Sequence, residues 1–429
     1  MSYEFSNFGR HLGSGSGIGE LMEDLGQALA SGSPELKMLG GGQPAHIPEM
    51  TAVWRRRLEE LLAEPGGLEN SLTRYDPPGG NPHFLTAIAT LFRETFGWDI
   101  TAENVGITSG GQTAFYFLFN LLAGEMPSGS RRKILLPLVP EYIGYANQGI
   151  CGELFHAVTP LIEKNGPHDF KYRVDFDNLV ITPDIAAICA SRPTNPTGNV
   201  LTDDEISRLS ALAKQHGIPF IIDNAYGAPF PGILFADATP FWEEHVVLTL
   251  SLSKLGLPGT RNGIVIGPPE IIRALGSMSA IAGLSNPNIG QQITLPLIRS
   301  GEILRLSREV IRPFYQAKCQ LARQAAMDAF GEDEDWYMHR SEGALFLWLW
   351  FPGLQITSQE LYERLKKREV LVIPGHHFFF GHEDVNWPHR HECLRVSYAM
   401  DEAVVREGLQ IIAEEVRRAG RKSLATLPA

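Results

Sequence analysis

One stretch of the chain concentrates reactive groups: Ser251-Leu252-Ser253-Lys254-Leu255-Gly256-Leu257-Pro258-Gly259-Thr260-Arg261-Asn262-Gly263. It lies between two apolar runs, 246–250 and 264–266, which are short and β-branched enough to be buried strands. A lysine just past the end of a buried strand loses water, and desolvation lowers its pKa and makes the amine a nucleophile. Arg261 with Ser251 and Ser253 supplies a cation and hydroxyl donors, the chemistry that holds a phosphate. Taken alone, the same residues also describe a turn with a solvated lysine and arginine, and the segment does not decide between the two.

Other apolar runs end in polar groups as well. In an open α/β sheet, ligands bind outside the carboxyl ends of the strands, so the residues just past each run matter most. Run 105–108 leads into Ser109-Gly110-Gly111-Gln112-Thr113 and then a helical pattern, which makes a helix N-terminus with backbone N–H groups suited to phosphate. Run 133–139 leads into Pro140-Glu141-Tyr142-Ile143-Gly144-Tyr145, an aromatic face. Run 186–190 leads into the turn Ser191–Gly198, which presents Asn195. Run 219–222 leads into Asp223-Asn224-Ala225-Tyr226. Singly, each has a bland reading: an aspartate capping a helix, a tyrosine packing in a core, a glycine pair making a turn. Together they set a phosphate site, an aromatic plate, an amide, a carboxylate, a phenol and an amine at successive strand ends. That set fits a phosphorylated, hydroxylated pyridine held on a lysine.

The elements that must position these groups form a regular alternation of short apolar runs and helical segments from about residue 100. Thr202-Asp203-Asp204-Glu205 is a capping box opening a helix whose Ile206, Leu209 and Leu212/Ala213 share a face, with Gly217 at its end. Such alternation implies a mostly parallel sheet flanked by helices. After about residue 305 the texture changes to a long helical stretch, an acidic segment 331–335, strand-like 344–350 and 370–373 around a helix 358–367, and a closing helix striped by Val405, Leu409, Ile412 and Val416. The expected fold is α/β, with a large domain, 65–305, and a smaller α+β domain built from 306–429 and the N-terminal arm, 1–64. The Gly- and Ser-rich residues 9–19 read as a flexible entry segment, and the spacing of 13–19 fails G-x-G-x-x-G with no strand before it.

The chain of 429 residues is longer than one hydrophobic core sustains. Lys+Arg 37 against Asp+Glu 49 gives a formal net charge of −12, which argues against nucleic acid and against anionic membranes as partners. No leader sequence and no membrane-length apolar run is visible. Cys151, Cys189, Cys319 and Cys393 are scattered without C-x-x-C spacing, so a cytoplasmic setting is expected. Five of the 13 histidines, His376, His377, His382, His389 and His391, fall within sixteen positions. They lack the spacing of a metal site, so no metal is expected, and a loop beside the substrate entrance or a solvated surface is the reading kept.

In order and spacing, the motifs Gly40-Gly41-Gly42-Gln43-Pro44, Pro140–Tyr145, Ser191–Asn199, Asp223-Asn224-Ala225-Tyr226-Gly227, Ser251–Arg261, Glu342-Gly343-Ala344 and Trp387-Pro388-His389 resemble those of the class I/II aminotransferases, fold type I enzymes dependent on pyridoxal 5'-phosphate. Over most of its length the chain is similar to the valine–pyruvate type. The resemblance implies that Lys254 carries the cofactor and then moves the substrate Cα proton, and that Asp223 pairs with the ring nitrogen. It implies that Asn195 and Tyr226 bond the ring oxygen, that Tyr142 stacks on the ring, and that Gly110, Gly111, Gln112, Ser251, Ser253 and Arg261 hold the phosphate. It also implies that Tyr75 crosses to a partner's phosphate in a homodimer with shared active sites. Arg395, with Gly42 and Asn195, would take the substrate carboxylate. The implied partners are small 2-amino acids and 2-oxo acids, above all L-valine and pyruvate. Two alternatives stay open: a lyase or decarboxylase of the same fold, since the same lysine and aspartate can labilise other Cα bonds, and a cofactor-binding transcriptional regulator, for which no basic helix-turn-helix segment is found.

Overall fold

The computed structural model describes residues 3–13, 19, 22–24, 26, 33, 35–332, 335–382, 384 and 386–420. Its centre is an eight-stranded sheet whose spine runs, in spatial order, Val105–Thr108, Gly263–Ile266, Val246–Ser251, Phe220–Asp223, Ile185–Ser191, Arg131–Leu136 and Gly124–Glu125, with Phe155–Ala157 also on Arg131–Leu136. Every residue of Ile185–Ser191, Phe220–Asp223, Val246–Ser251 and Gly263–Ile266 is buried, which accounts for their unbroken apolar character: helices cover both faces.

The parallel pairing expected from the alternation is found among the central neighbours, from Phe155–Ala157 to Val246–Ser251. Gly263–Ile266 departs from it and runs antiparallel to both its neighbours. Residues 252–262 are spent on two 3-10 turns, Ser253–Leu255 and Pro258–Thr260, so no crossover helix returns the chain in the parallel sense.

A second, six-stranded sheet has the order Ile373–Pro374, Cys393–Ser397, Phe346–Trp350, Tyr337–His339, Asp169–Arg173 and Leu161–Lys164. The hairpin 161–173 carries too weak an apolar pattern to be read as strands, and it joins this sheet from the middle of the chain. Lys37–Met38 pairs in parallel with Val370–Leu371, tying the N-terminal segment to the C-terminal part. The stripe Val405, Leu409, Ile412 and Val416 is buried along Glu402–Ala419, which packs on Arg312–Phe330. Of the glycine-rich entry segment, residues 9–13 lie in a helix, Asn7–Gly13, rather than a flexible stretch. Residues 14–18, and 333–334 of the acidic run, lie outside the described residues.

The helix Asp203–Gln215 starts as its sequence dictates. The Thr202 hydroxyl accepts from the Glu205 N–H at 3.2 Å, and the Glu205 carboxylate accepts from the Thr202 N–H at 2.8 Å. Replacing Thr202 by Ala should cost about 1 kcal/mol, seen as a lowered urea midpoint with unchanged circular dichroism, whereas Thr202→Ser should leave the midpoint in place.

Candidate active site

Strand register brings the polar groups together. Ser191 and Thr249 both pair with Asp223, while Gly263 pairs with Ser251 on one side and Thr108 on the other. The turns after Thr108, Ser191, Asp223 and Ser251 therefore leave the sheet at one level and one edge. Two glycines permit this closeness. A Cβ on Gly263 would fall 2.7 Å from the Gly110 backbone and the Thr108 hydroxyl. Gly110 has φ 92°, and a Cβ there would strike the Arg261 guanidinium.

Arg261, itself left-handed with φ 51°, thus stands over the turn Gly110-Gly111-Gln112 that opens the helix Gly111–Leu122. The Arg261 guanidinium stands against the start of this helix, where the Gly110 N–H is taken by the Thr108 carbonyl at 2.7 Å and the N–H groups that follow have no carbonyl one turn back, with the buried Ser251 and half-buried Ser253 at the neighbouring strand end. The Ser251 hydroxyl accepts from the Ser253 N–H at 3.1 Å. The Gln112 side chain donates to the Gly144 carbonyl at 2.8 Å, fixing this turn to the one carrying Tyr142. The donor set suits a phosphate group.

Lys254 projects from the first 3-10 turn, half-buried, and its ammonium donates to the Gly42 carbonyl at 2.6 Å, 5.1 Å from the centre of the Tyr226 ring. Burial, then the Arg395 and Arg261 guanidinium groups, draw its pKa down to about 8, with Asp223 opposing. Asp223 is buried. It accepts from the Tyr145 hydroxyl, from the Ala225 N–H at 3.0 Å and from the Thr249 hydroxyl at 3.4 Å. Burial raises its pKa, against those hydrogen bonds and Lys254. Burial likewise pushes the Tyr226 phenol far up, so it stays a neutral donor. The Tyr142 ring stands edge-on to Tyr145, centroids 5.2 Å apart.

Arg395 comes from the second sheet. It is only 3% exposed, yet no carboxylate among the described residues pairs with it. One guanidinium nitrogen donates to the Asn195 side-chain oxygen at 2.7 Å and another to the Gly40 carbonyl at 2.7 Å, while Nε has no partner. The guanidinium lies 4.2 Å from the centre of the Phe346 ring and 5.3 Å from that of Phe378. Burial draws its pKa down to about 10, so it remains a cation at neutral pH. A buried cation with one N–H unused and only neutral acceptors has the chemistry to receive a carboxylate.

The structure thus gathers Gly42, Gly110, Gly111, Gln112, Tyr142, Asn195, Asp223, Tyr226, Ser251, Ser253, Lys254, Arg261 and Arg395 in one region, linked by the register and contacts above. Tyr75 is not among them: it is 82% exposed. His382 and His389 are buried, not solvated, the latter bonded to the Tyr172 hydroxyl at 2.5 Å. Sequence reasoning missed Tyr145 as the partner of Asp223, although it stands in the same aromatic turn. It also missed Glu141 and Gly40, whose roles depend on which backbone and side-chain atoms meet across the sheets.

The Aminotransferase class I and II family model matches residues 155–412. Across 419 residues, 98% of this chain and 99% of the relative, the sequence is 47% identical to a valine–pyruvate aminotransferase of Escherichia coli strain K12. The chain belongs to the class I and II aminotransferases. Its fold superposes with a TM-score of 0.85 on a valine–pyruvate aminotransferase from Salmonella typhimurium LT2, at 44% identity over 94% of this chain and 99% of that one. A more distant relative, an aspartate/prephenate aminotransferase of Thermus thermophilus, is 27% identical over 91% of each chain. No helix among the described residues of the aminotransferase is long and apolar enough to cross a membrane.

The lysine environment is testable directly. In protein dialysed free of carbonyl compounds, amine-directed acylation of Lys254, measured by mass spectrometry, should titrate with a midpoint of about 8, the free amine reacting above it. Because Arg395 contributes to the depression, Arg395→Ala should move that midpoint upward.

Proposed function

We propose that the aminotransferase exchanges an amino group between small 2-amino acids and 2-oxo acids, with L-valine and pyruvate giving 3-methyl-2-oxobutanoate and L-alanine, and with pyridoxal 5'-phosphate as its resident cofactor. The observation that carries the reading is the convergence of a depressed lysine and a buried, carboxylate-free arginine on the strip Gly40–Gly42. Near-full-length likeness to valine–pyruvate aminotransferases supports it.

The residues fit the cofactor: a phosphate cradle at Gly110–Gln112 and Arg261, a buried carboxylate at Asp223, a phenol at Tyr226 and an amine at Lys254. When bound, the cofactor supplies an electron sink that makes a Cα–H bond of the amino acid breakable. Lys254 anchors it and then serves as the base that takes the Cα proton. The Asp223 carboxylate, oriented by Tyr145, holds a proton at the ring nitrogen. The Asn195 amide, its oxygen already engaged by Arg395, has N–H groups left to donate to the ring oxygen beside the Tyr226 hydroxyl. Tyr142 packs on the ring face. Gly110, Gly111, Gln112, Ser251, Ser253 and Arg261 hold the phosphate. Arg395, with Gly42 and Asn195 beside it, takes the substrate carboxylate as a two-pronged pair.

A cavity of about 200 Å³ adjoins Lys254, walled by Pro44, Ala45, Ile47, Met50, Trp54 and Tyr315 together with the polar Gln43, His46 and Thr51. Its small size, and a lining that holds no arginine and no lysine besides Lys254 to pair with a second carboxylate, favour a side chain such as that of valine over a dicarboxylate. A homodimer belongs to the same proposal: Leu62, Leu68, Leu72 and Tyr75 are exposed on consecutive elements, and Tyr75 would reach the partner's phosphate. So do a large domain over 65–305 with a smaller one over 1–64 and 306–429, and a cytoplasmic location, in keeping with four free thiols.

Borohydride treatment of the purified protein should fix the cofactor to Lys254, and Lys254→Ala should lose that adduct and roughly 10³-fold or more in rate. A mixture of valine and pyruvate should yield alanine; carbon dioxide or ammonia released without alanine would place the reaction with the lyases. Tyr75→Phe should weaken pyridoxal phosphate binding without changing the dimer seen by sedimentation.

A further inference from the structure

We propose that Glu141 is a positioning residue for the Asp223 end of the site: its one buried carboxyl group ties the backbone of Tyr142 to the Ser191 strand end and sets a second negative charge beside Asp223. The proposal rests on the cofactor reading above.

Glu141 is wholly buried. One oxygen accepts from the Ser191 N–H at 2.8 Å; the other accepts from the Ser191 hydroxyl at 2.6 Å and the Tyr142 N–H at 3.1 Å. Its own N–H donates to the Phe378 carbonyl at 2.9 Å, and the Phe378 ring is one of the two that border the Arg395 guanidinium. Ser191 is the direct cross-strand partner of Asp223, and the next residue, Arg192, donates its N–H to the Asp223 carbonyl at 2.8 Å. A single residue therefore fixes the turn under Tyr142, the strand flanking Asp223 and, through its backbone, the segment facing the carboxylate receptor.

Three donors and no acceptor arrange this site for a carboxylate, yet no cation among the described residues pairs with it. The groups facing it are Asp223 from the next strand, Cys189 and Ser191 from the strand beside it, and Tyr142 and Tyr145 from its own turn. Lys254 acts on Asp223, and Arg395 and Arg261 act on Tyr142. Burial pushes the Glu141 carboxyl up to about 7, the Ser191 and Tyr142 hydrogen bonds opposing and Asp223 adding. Above that pH Glu141 is an anion and favours the protonated forms of its neighbours, and below it that support fades.

The test uses the holoenzyme and reads the pH midpoint of its visible cofactor band, with pyridoxal phosphate affinity by equilibrium dialysis alongside. Glu141→Gln keeps the shape and removes the charge, and should lower the midpoint by about half a unit or more and weaken cofactor binding. Ser191→Ala removes one donor, so less of Glu141 is ionised; it should shift the midpoint the same way by less, and it carries the test if the Gln variant does not fold. Unchanged midpoints, whatever the thermal stability of the variants, would overturn the proposal and leave Glu141 as packing. Failure of the cofactor reading would show differently, as a wild-type protein with no visible band and no Lys254 adduct, and would overturn both.

Discussion

A guanidinium buried without a carboxylate is the constraint on which the rest of the structure turns. Removing a cation from water costs several kcal/mol unless compensated. Among the described residues, Arg395 is compensated by a side-chain oxygen from the Ser191–Gly198 turn, a backbone carbonyl from the N-terminal segment and two aromatic faces. Those partners lie 200 and 355 residues away in the chain. The second sheet, the first sheet's central turn and the N-terminal strip must therefore all be in register before this charge is tolerable.

The first sheet meets that demand through its strand ends. Asp223 lies between Ser191 and Thr249, so the carboxylate, the amide turn and the lysine turn share one rim. The antiparallel strand Gly263–Ile266 then brings the Thr108 and Ser251 ends level, where parallel pairing would have sent Gly263 to the opposite edge. Charges are graded along this rim: Asp223 and Glu141 are deep within it, while Arg261 is exposed over the Gly110–Gln112 turn. Tyr145 joins the two regions by orienting Asp223 with its hydroxyl while its ring packs against Phe115 and Phe119.

Much of this was legible in the chain because it is local. Buried strands announce themselves as unbroken apolar runs, and the polar residues at their carboxyl ends are those the proposed site uses. The capping box at Thr202 fixed a helix start to the residue. The strands within 161–173 are hard to read because Leu161–Lys164 is largely exposed and Asp169–Arg173 carries charge at alternate positions, Lys171 being buried against Glu342. The direction of Gly263–Ile266 and the burial of His382 and His389 depend on partners far along the chain. The role the resemblance implies for Tyr75 depends on a second chain, so nothing within this one places it. Family likeness supplied the roles; the geometry supplied Glu141, Tyr145 and Gly40.

The strip Gly40–Gly42 has a further consequence. Two of its carbonyls already occupy the cations at Arg395 and Lys254. In the proposed reading, a carboxylate that reaches Arg395 takes the place of the Gly40 carbonyl held against it. An anion does so readily, since a charge-assisted bond is about twice as strong as a neutral one. An amide or alcohol of the same shape merely trades one neutral acceptor for another and gains almost nothing. In that reading the Gly40 carbonyl competes with uncharged mimics for the Arg395 guanidinium.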